Sequence, residues 1–152
     1  EGVVSWQLSQ CFYCLSSVHL DAGDLTAALE YAKESIALAD KNEEKLIGAD
    51  SRVLLGRILG RDKKSKCSEA ERHILQAIKD LETLKAKPKY AQGYLFLGEL
   101  YARSGRNEDA LRNLRRAEEL FQDMKMDYWL RRTQPLLKEL EASPNEGAAG
   151  NR

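Results

Sequence analysis

Small residues recur at the same spacing in three successive stretches of the chain. Each stretch has a small residue, an alanine twelve or fourteen positions later, and another small residue seven positions after that. The three sets are Ser16, Ala28 and Ser35; Gly56, Ala70 and Ala77; and Gly98, Ala110 and Ala117. Small side chains at a fixed spacing let two helices approach closely, since larger ones would hold the backbones apart. A helix pair copied three times cannot bury its apolar face alone, so we expect the copies to stack into a solenoid with a groove.

The composition favours a single helical domain. The chain has 152 residues, of which 43% are hydrophobic, and this is enough to bury a core. It has only three prolines, and no run of alternating apolar residues rich in β-branched side chains indicates a strand. No stretch of about eighteen consecutive apolar residues is present, so we expect no membrane span. The sequence therefore predicts an all-α protein.

The charge of the chain gives no general preference for nucleic acid or anionic lipid. Its 24 basic residues balance 24 acidic residues, so we expect neither nucleic acid nor a membrane as a partner. One local cluster, Arg112, Arg115 and Arg116, lies on one face of a predicted helix. Glu118 and Glu119 follow closely, so we interpret this cluster as a solvated face, with a phosphate-binding patch as the alternative.

The third copy carries the most complete motif. An aromatic residue, then Leu-Gly, then Tyr, and later Ala, a bulky residue and Ala occur in the order of the tetratricopeptide repeat. These positions are filled by Tyr94, Leu97, Gly98, Tyr101, Ala110, Leu114 and Ala117. The other two copies are looser, and in the second Arg52 stands where the family has the aromatic residue. The stretch from about residue 5 to residue 124 resembles the tetratricopeptide repeat family.

The copies are longer than the ordinary repeat of this family. The step is 40 residues from Ser16 to Gly56 and 42 residues from Gly56 to Gly98, against about 34 in the family. Long repeats of this kind are similar to those of bacterial multidomain regulators, where they follow an ATPase, kinase or nucleotide-cyclase module. The resemblance thus implies a fragment of a larger bacterial regulatory protein, and a chain that starts at Glu1 without Met agrees with this expectation.

The resemblance also implies a right-handed superhelical solenoid of three helix pairs followed by a C-terminal capping helix. The predicted repeats are about 5–42, 43–86 and 87–124, and with a capping helix over 127–141 they form a repeat domain over 1–142. Apolar residues of the capping helix that are available to cover the third repeat are Trp129, Leu130, Leu136, Leu137 and Leu140. The tail over 143–152 has nothing to bury, and we expect it to be disordered.

The chain offers no constellation of residues for catalysis or metal binding. Cys11 and Cys14 form a Cys-x-x-Cys pair, a spacing used in metal sites and in thiol exchange, but a structural zinc site needs four ligands. Cys67, His19 and His73 are scattered over different repeats. We interpret the pair as small helical residues, expect neither cofactor nor metal, and predict that this chain is not an enzyme. An odd count of three cysteines favours a reducing cytoplasm.

By resemblance, the first helix of each pair lines the concave side of the array. The positions that face inward in the family are occupied here by Tyr13, Ser17, Val53, Arg57, Arg61, Leu95, Glu99 and Arg103. We expect a partner segment, extended or helical, to lie across them, with the tyrosine and the arginines as anchors.

One subtype of the family uses cations in the groove to clamp a C-terminal carboxylate. The matching positions in this sequence carry no cation: they are Tyr13, Ser17, Leu54, Gln92 and Phe96. Charge-assisted hydrogen bonds to the carboxylate are therefore absent, and we expect no binding of acidic C-terminal chaperone peptides.

The predicted function is protein–protein interaction, by a scaffold that binds a peptide or protein partner in a concave groove. The resemblance leaves a second function open, namely the regulatory or sensor tail of a signalling ATPase, kinase or nucleotide cyclase whose catalytic domain lies outside this chain. A sensor of a small molecule or peptide would need a deep pocket with a few convergent polar groups.

The first helix is crowded with apolar residues, which are Val3, Val4, Trp6, Leu8 and Phe12. In a stacked array each repeat is covered by its neighbours, and exposed apolar surface at an end marks a missing neighbour or a subunit contact. We therefore predict that the chain either forms a homo-oligomer through its first helix or continues into an earlier repeat.

Overall fold

The computed structural model describes residues 5–62 and 66–143, and within these ranges the chain is helical without a strand. The helices are α1 (Ser5–Asp21), α2 (Leu25–Lys41), α3 (Lys45–Asp62), α4 (Cys67–Thr83), α5 (Lys87–Arg103), α6 (Asn107–Asp123) and α7 (Asp127–Ala142). The predicted all-α class is confirmed. None of the described helices combines the length and the apolar character needed to cross a bilayer. Val3 and Val4 lie outside the described residues, as does the predicted disordered tail beyond Ser143.

Each helix packs against the next one along the chain, and the odd-numbered helices also contact one another. Helix α1 contacts α3, α3 contacts α5, and α5 contacts α7, whereas the Cα atoms of no two even-numbered helices approach within 8 Å of each other in the described ranges. The odd-numbered helices therefore lie side by side along one face, and the even-numbered helices lie behind them. This face brings together side chains from four helices that are far apart in sequence.

The small residues of the three copies lie where paired helices cross, and all nine are buried. A Cβ atom on Gly56 would lie 2.4 Å from Cγ1 of Ile74, and one on Gly98 would lie 2.7 Å from Cγ of Leu114. In the first copy, the hydroxyl group of Ser16 donates to a carbonyl oxygen of α2 at 2.8 Å. The close approach of the helices that the small residues predict is thus confirmed at all three crossings.

The turns between helices share one backbone conformation. Five of them, all but the turn between α3 and α4, have three residues, and the middle residue has a positive φ. These middle residues are Gly23, Glu43, Lys85, Gly105 and Lys125, with φ between 54° and 81°. The same local conformation therefore connects the helices within pairs and between pairs.

The core consists of two clusters of buried apolar side chains. One cluster surrounds Leu54 and Ile58 of α3, and the other lies between α5, α6 and α7, around Phe121. Helix α7 closes the second cluster. Its residues in this cluster are the five that the sequence predicts as a cover for the third helix pair: Trp129, Leu130, Leu136, Leu137 and Leu140.

Candidate binding groove

The face formed by the odd-numbered helices contains a groove. One part of it, which we call the main cavity, has a volume of about 270 Å³ and is lined by residues of α1, α3, α5 and α7. Its walls combine aromatic rings, such as those of Tyr13 and Phe96, with charged side chains. A second part, the arginine cavity, has a volume of about 370 Å³ and lies mainly between α3, α5 and α7. Arg132 lines both cavities and joins them.

Seven of the eight predicted partner-binding residues line this groove. Those in the main cavity are Tyr13, Ser17, Val53 and Arg57, and those in the arginine cavity are Arg61, Glu99 and Arg103. Leu95 is the exception, because its side chain is 0% exposed and lies in the core cluster between α5, α6 and α7. Helix α5 contributes Gln92 and Phe96 to the main cavity instead.

Arg57 lies over the ring of Phe96. Its guanidinium carbon is 3.8 Å from the ring centroid, which is a cation–π distance, and the guanidinium carbon of Arg132 is 5.1 Å from the same centroid. Burial, and then repulsion from Arg132, lower the pKa of Arg57 to about 10, although attraction by Glu99 opposes the shift. No carboxylate of the described residues comes within ion-pair distance of Arg57. An aromatic ring, rather than a counter-ion, is therefore its direct partner.

Glu99 holds Arg132 at the junction of the two cavities. Nη2 of Arg132 donates to Oε1 of Glu99 at 3.1 Å, and this hydrogen bond joins α7 to α5. The guanidinium carbon of Arg132 also lies 5.6 Å from the centroid of the Trp129 ring. The arginine is thus oriented by a carboxylate and by two aromatic rings, and it remains in contact with the groove.

A buried carboxylate lies in the main cavity. Asp50 is only 7% exposed, and an oxygen of its carboxylate lies 2.6 Å from Nζ of Lys89. Burial, followed by the negative charge of Asp50, raises the pKa of Tyr13 well above its ordinary value, so the phenol stays protonated. Nζ of Lys89 is 5.7 Å from the centroid of the Tyr13 ring. Unlike Arg57, Asp50 therefore has a counter-ion within the described chain.

The inward positions predicted from the resemblance include neither Asp50 nor any residue of α7. Arg132 is the sixth residue of α7, and Asp50 and Gln92 are the sixth residues of α3 and α5. All three line the main cavity. Arg132 would have been placed in the groove only by counting α7 as one more first helix and by adding the sixth residue of each such helix to the inward positions. Lys89 has no such signal, because it reaches Asp50 from the first turn of α5.

The cysteines lie outside the groove. Cys11 and Cys14 are exposed on α1, Cys67 is partly buried at the start of α4, and all three are free thiols. In residues 5–62 and 66–143, no three His, Cys, Asp or Glu side chains are grouped so that they could hold a metal ion.

The three neighbouring arginines of α6 have carboxylate partners. Arg112, Arg115 and Arg116 are exposed, and each lies close to a carboxylate, at 3.0, 3.0 and 3.4 Å. Their charges are thus balanced on the surface, which agrees with the solvated face predicted from the sequence.

Comparison with known proteins adds no information on the function of this groove. No protein-family model matches the chain, and a search of curated proteins finds no similar sequence. The groove is therefore interpreted from its own residues.

Proposed function

We propose that this chain is a tetratricopeptide-like scaffold that binds a peptide or protein segment in the groove along its odd-numbered helices. Three features support this: the close crossings at the repeated small residues, the recurring turn, and the side-by-side odd-numbered helices. A stacked array of helix pairs would have all three. In this proposal the pairs α1–α2, α3–α4 and α5–α6 form a right-handed superhelical solenoid, and α7 caps it.

The observation that carries the proposal is the convergence of arginine and aromatic side chains from separate helices on the main cavity. Tyr13 comes from α1, Arg57 from α3, Phe96 from α5, and Trp129 and Arg132 from α7. Side chains of these types dominate the energetics of protein interfaces, because they offer a large apolar area together with directional polar groups. Their contacts with one another hold them in place before a partner arrives, which lowers the entropy lost on binding.

The residue types of the groove suit binding better than catalysis. Neither cavity is lined by a histidine or a cysteine. We therefore assign the groove no nucleophile that is activated by a neighbouring base. We place the chain in a reducing cytoplasm, where its free thiols would persist. In the larger bacterial regulatory protein that the resemblance implies, the chain would bind its partner through this groove. The alternative is that the chain is the regulatory or sensor tail of a signalling ATPase, kinase or nucleotide cyclase whose catalytic domain lies outside it.

A phage-displayed library of random dodecapeptides, selected on the immobilised protein, tests this function. Ser17→Trp would fill the main cavity from α1, whereas Ala37→Trp adds the same side chain on the exposed face of α2. We expect selected peptides to lose at least about tenfold in affinity for Ser17→Trp and to keep their affinity for Ala37→Trp. Peptides that bind both variants as well as the parent protein would place the binding surface outside the groove.

A further inference from the structure

Four arginines converge at one end of the groove. Arg61, Arg103 and Arg132 line the arginine cavity, and Arg57 shares a narrow cleft with the first two. We call these four residues the arginine cluster. Two acidic residues, Glu99 and Glu139, line the same cavity, where three positive charges face these two negative ones. With Arg57 of the adjoining cleft, the local excess is +2. The whole chain has a net charge of zero, so positive charge is concentrated at this end of the groove.

The arginine cluster is only partly neutralised within the described chain. Arg132 has Glu99 as its partner, at 3.1 Å, and Arg61 donates to the carbonyl oxygen of Leu20 at 3.3 Å. Arg57 and Arg103 form no ion pair among the described residues. On the rest of the described surface Arg112 has a carboxylate partner, whereas Arg72 and Arg131 form no ion pair. Arg57 and Arg103 differ from these two because their guanidinium-bearing side chains line one narrow cleft together.

A favourable interaction with a helix dipole explains the positions of only two of these four arginines. Arg61 and Arg103 lie in the last turns of α3 and α5, where a cation is favoured by the partial negative charge of the helix end. Arg57 and Arg132 lie further inside their helices, and burial lowers the pKa of Arg57, so the fold gains nothing from its charge there. A partner that brings negative charge would compensate this cost.

We propose that the arginine cluster binds an acidic segment of a partner protein, through side-chain carboxylates that alternate with apolar side chains. The apolar part of the segment has its own contacts, since Leu136 and Leu140 line the arginine cavity and Phe96 lines the adjoining cleft. Arginine guanidinium groups bind carboxylates with charge-assisted hydrogen bonds, often two at a time. The proposal rests on the proposed function, because it names the partner chemistry of the same groove.

This site differs from a clamp for a C-terminal carboxylate. The positions that would form such a clamp are those without a cation, among them Ser17, Leu54 and Gln92 in the main cavity. The arginine cluster extends from there toward the C-terminal ends of α3 and α5. The expected ligand groups are therefore Asp and Glu side chains within a segment, and a free C-terminus is not required.

The dodecapeptide selection separates this proposal from the function on which it rests. Displayed peptides have no free C-terminus, so enrichment reports on their side chains alone. We expect the selected pool to be enriched in Asp and Glu. A pool that is enriched in peptides sensitive to Ser17→Trp but not in acidic residues would overturn the acidic-segment proposal and leave the groove function standing. Failure to select any groove-binding peptide would overturn both.

A pair of matched double variants then tests the arginines directly. Arg61→Gln/Arg103→Gln removes two exposed charges from the groove, and Arg72→Gln/Arg112→Gln removes two exposed charges from α4 and α6. With selected acidic peptides, synthesised as C-terminal amides, we expect at least about tenfold weaker binding for the first variant. The second should stay within about twofold of the parent. Binding should also weaken as salt is raised.

Three outcomes of these titrations would contradict the proposal. One is an equal loss of affinity in both double variants, which would indicate attraction by net charge alone. Another is undiminished binding when every Glu and Asp of a peptide is replaced by Gln and Asn. The third is displacement of the peptide by a single-stranded oligonucleotide at lower concentrations than by the peptide itself, which would assign the cluster to phosphate. Thermal unfolding of each variant verifies that it is folded.

Discussion

Nζ of Lys89 lies 2.6 Å from a carboxylate oxygen of Asp50, and this ion pair ties the first turn of α5 to α3 beneath the groove. The Asp50 side chain is almost fully buried, so its charge depends on the lysine for compensation. We expect Lys89→Met to lower the free energy of unfolding by about 2 kcal/mol, because it leaves a buried carboxylate without its counter-ion. Urea unfolding measured by circular dichroism determines the value.

Lys87 provides a matched control for this prediction. It lies two residues earlier in the same turn and pairs with Asp123, but that pair is exposed to solvent. Exposed pairs contribute little, so Lys87→Met should change stability less than Lys89→Met. The double variant Asp50→Asn/Lys89→Met should recover part of the loss, since no buried charge remains. Equal destabilisation by the two lysine substitutions would show that burial of Asp50 is not what matters.

Two glycines of α3 differ in how well their surroundings could accept a methyl group. A Cβ atom on Gly56 would lie 2.4 Å from Cγ1 of Ile74 and 2.9 Å from the carbonyl oxygen of Ala70. The first atom belongs to a completely buried, β-branched side chain and the second to the backbone of α4, so neither moves easily. A Cβ atom on Gly60 would lie 2.6 Å from Cδ1 of Leu100, which is the end of a flexible side chain. We expect Gly56→Ala to destabilise by about 2 kcal/mol.

Gly60→Ala should cost less than Gly56→Ala, because alanine favours the helix by about 0.8–1.0 kcal/mol over glycine and Leu100 can adjust. Thermal unfolding of the two variants side by side gives the comparison. If Gly56→Ala were as stable as Gly60→Ala, the crossing of α3 and α4 would be looser than the structure shows.

The sequence predicts the helix crossings well, because steric exclusion at a crossing requires small residues wherever the pair is repeated. It predicts the turns less well. Gly23 and Gly105 carry the usual signal for a positive φ, but Glu43, Lys85 and Lys125 adopt the same conformation without one. At those turns the packing of the flanking helices decides the backbone conformation, and no local residue type reveals it.

The groove is only partly predictable for a different reason. Tyr13, Val53 and Leu95 are the ninth residues of α1, α3 and α5, and the repeat pattern treats them alike. Tyr13 is partly buried, Val53 is 4% exposed and Leu95 is completely buried. Helix α7 packs its Trp129 against the cluster that contains Leu95. The same register position therefore belongs to the groove in one copy and to the core in another, which a repeat pattern does not express.

Two tyrosine–glutamate hydrogen bonds make the free energy of unfolding decrease at alkaline pH. The hydroxyl of Tyr94 donates to Glu82 at 2.8 Å, and that of Tyr101 donates to Glu71 at 2.7 Å. Burial, and then these hydrogen bonds, raise the pKa of both tyrosines to about 12. Since the unfolded chain loses these protons near pH 10, the stabilisation is complete below pH 10 and is lost as the pH rises through 12.

We expect the free energy of unfolding to fall from about pH 10 upward, and to fall less steeply in Tyr94→Phe/Tyr101→Phe. Urea unfolding at several pH values between 9 and about 11.5 gives the slopes. Tyr128→Phe is the control, because that exposed side chain donates no hydrogen bond to a described carboxylate. If the double variant lost stability as steeply as the parent, these two phenols would not be the cause of the pH dependence.

Arg57 is predicted to serve binding at the expense of stability. Burial and the charge of Arg132 lower its pKa to about 10, so the protonated form that prevails at neutral pH is disfavoured in the folded protein. This cost is present below pH 10 and is relieved only as the pH rises above it. We expect Arg57→Met to raise the free energy of unfolding at pH 7 by about 1 kcal/mol, since methionine keeps the contact with Phe96 without the charge.

The same substitution should weaken binding of the selected acidic peptides, so stability and affinity should change in opposite directions. Differential scanning calorimetry and a peptide titration on one sample measure both. Arg72→Met is the control for stability, because this side chain is exposed on α4 and forms no ion pair among the described residues, so its loss should leave unfolding nearly unchanged. A decrease in stability for Arg57→Met would mean that stacking of the guanidinium on Phe96 outweighs the cost of burying the charge.

The outer face of α1 has an apolar stripe that no described helix covers. Leu8, Leu15 and Val18 lie on this face, and Val18 is 65% exposed. The sequence from Ser5 to Val18 contains no charged residue, so two such helices would meet without repulsion between like charges. We expect a second copy of the chain to cover this stripe, with α1 packed against α1.

Light scattering over a range of concentrations tests this self-association. The weight-average mass should rise toward twice that of the chain as the protein is concentrated, because each partner removes the apolar stripe of the other from water. Leu15→Glu/Val18→Glu should keep the protein monomeric at all concentrations, since it places like charges on both facing helices. The control Leu46→Glu/Leu75→Glu changes two leucines that are 44% and 46% exposed on α3 and α4, and it should associate like the parent. A parent protein whose mass does not change with concentration would show that two copies do not pair through α1.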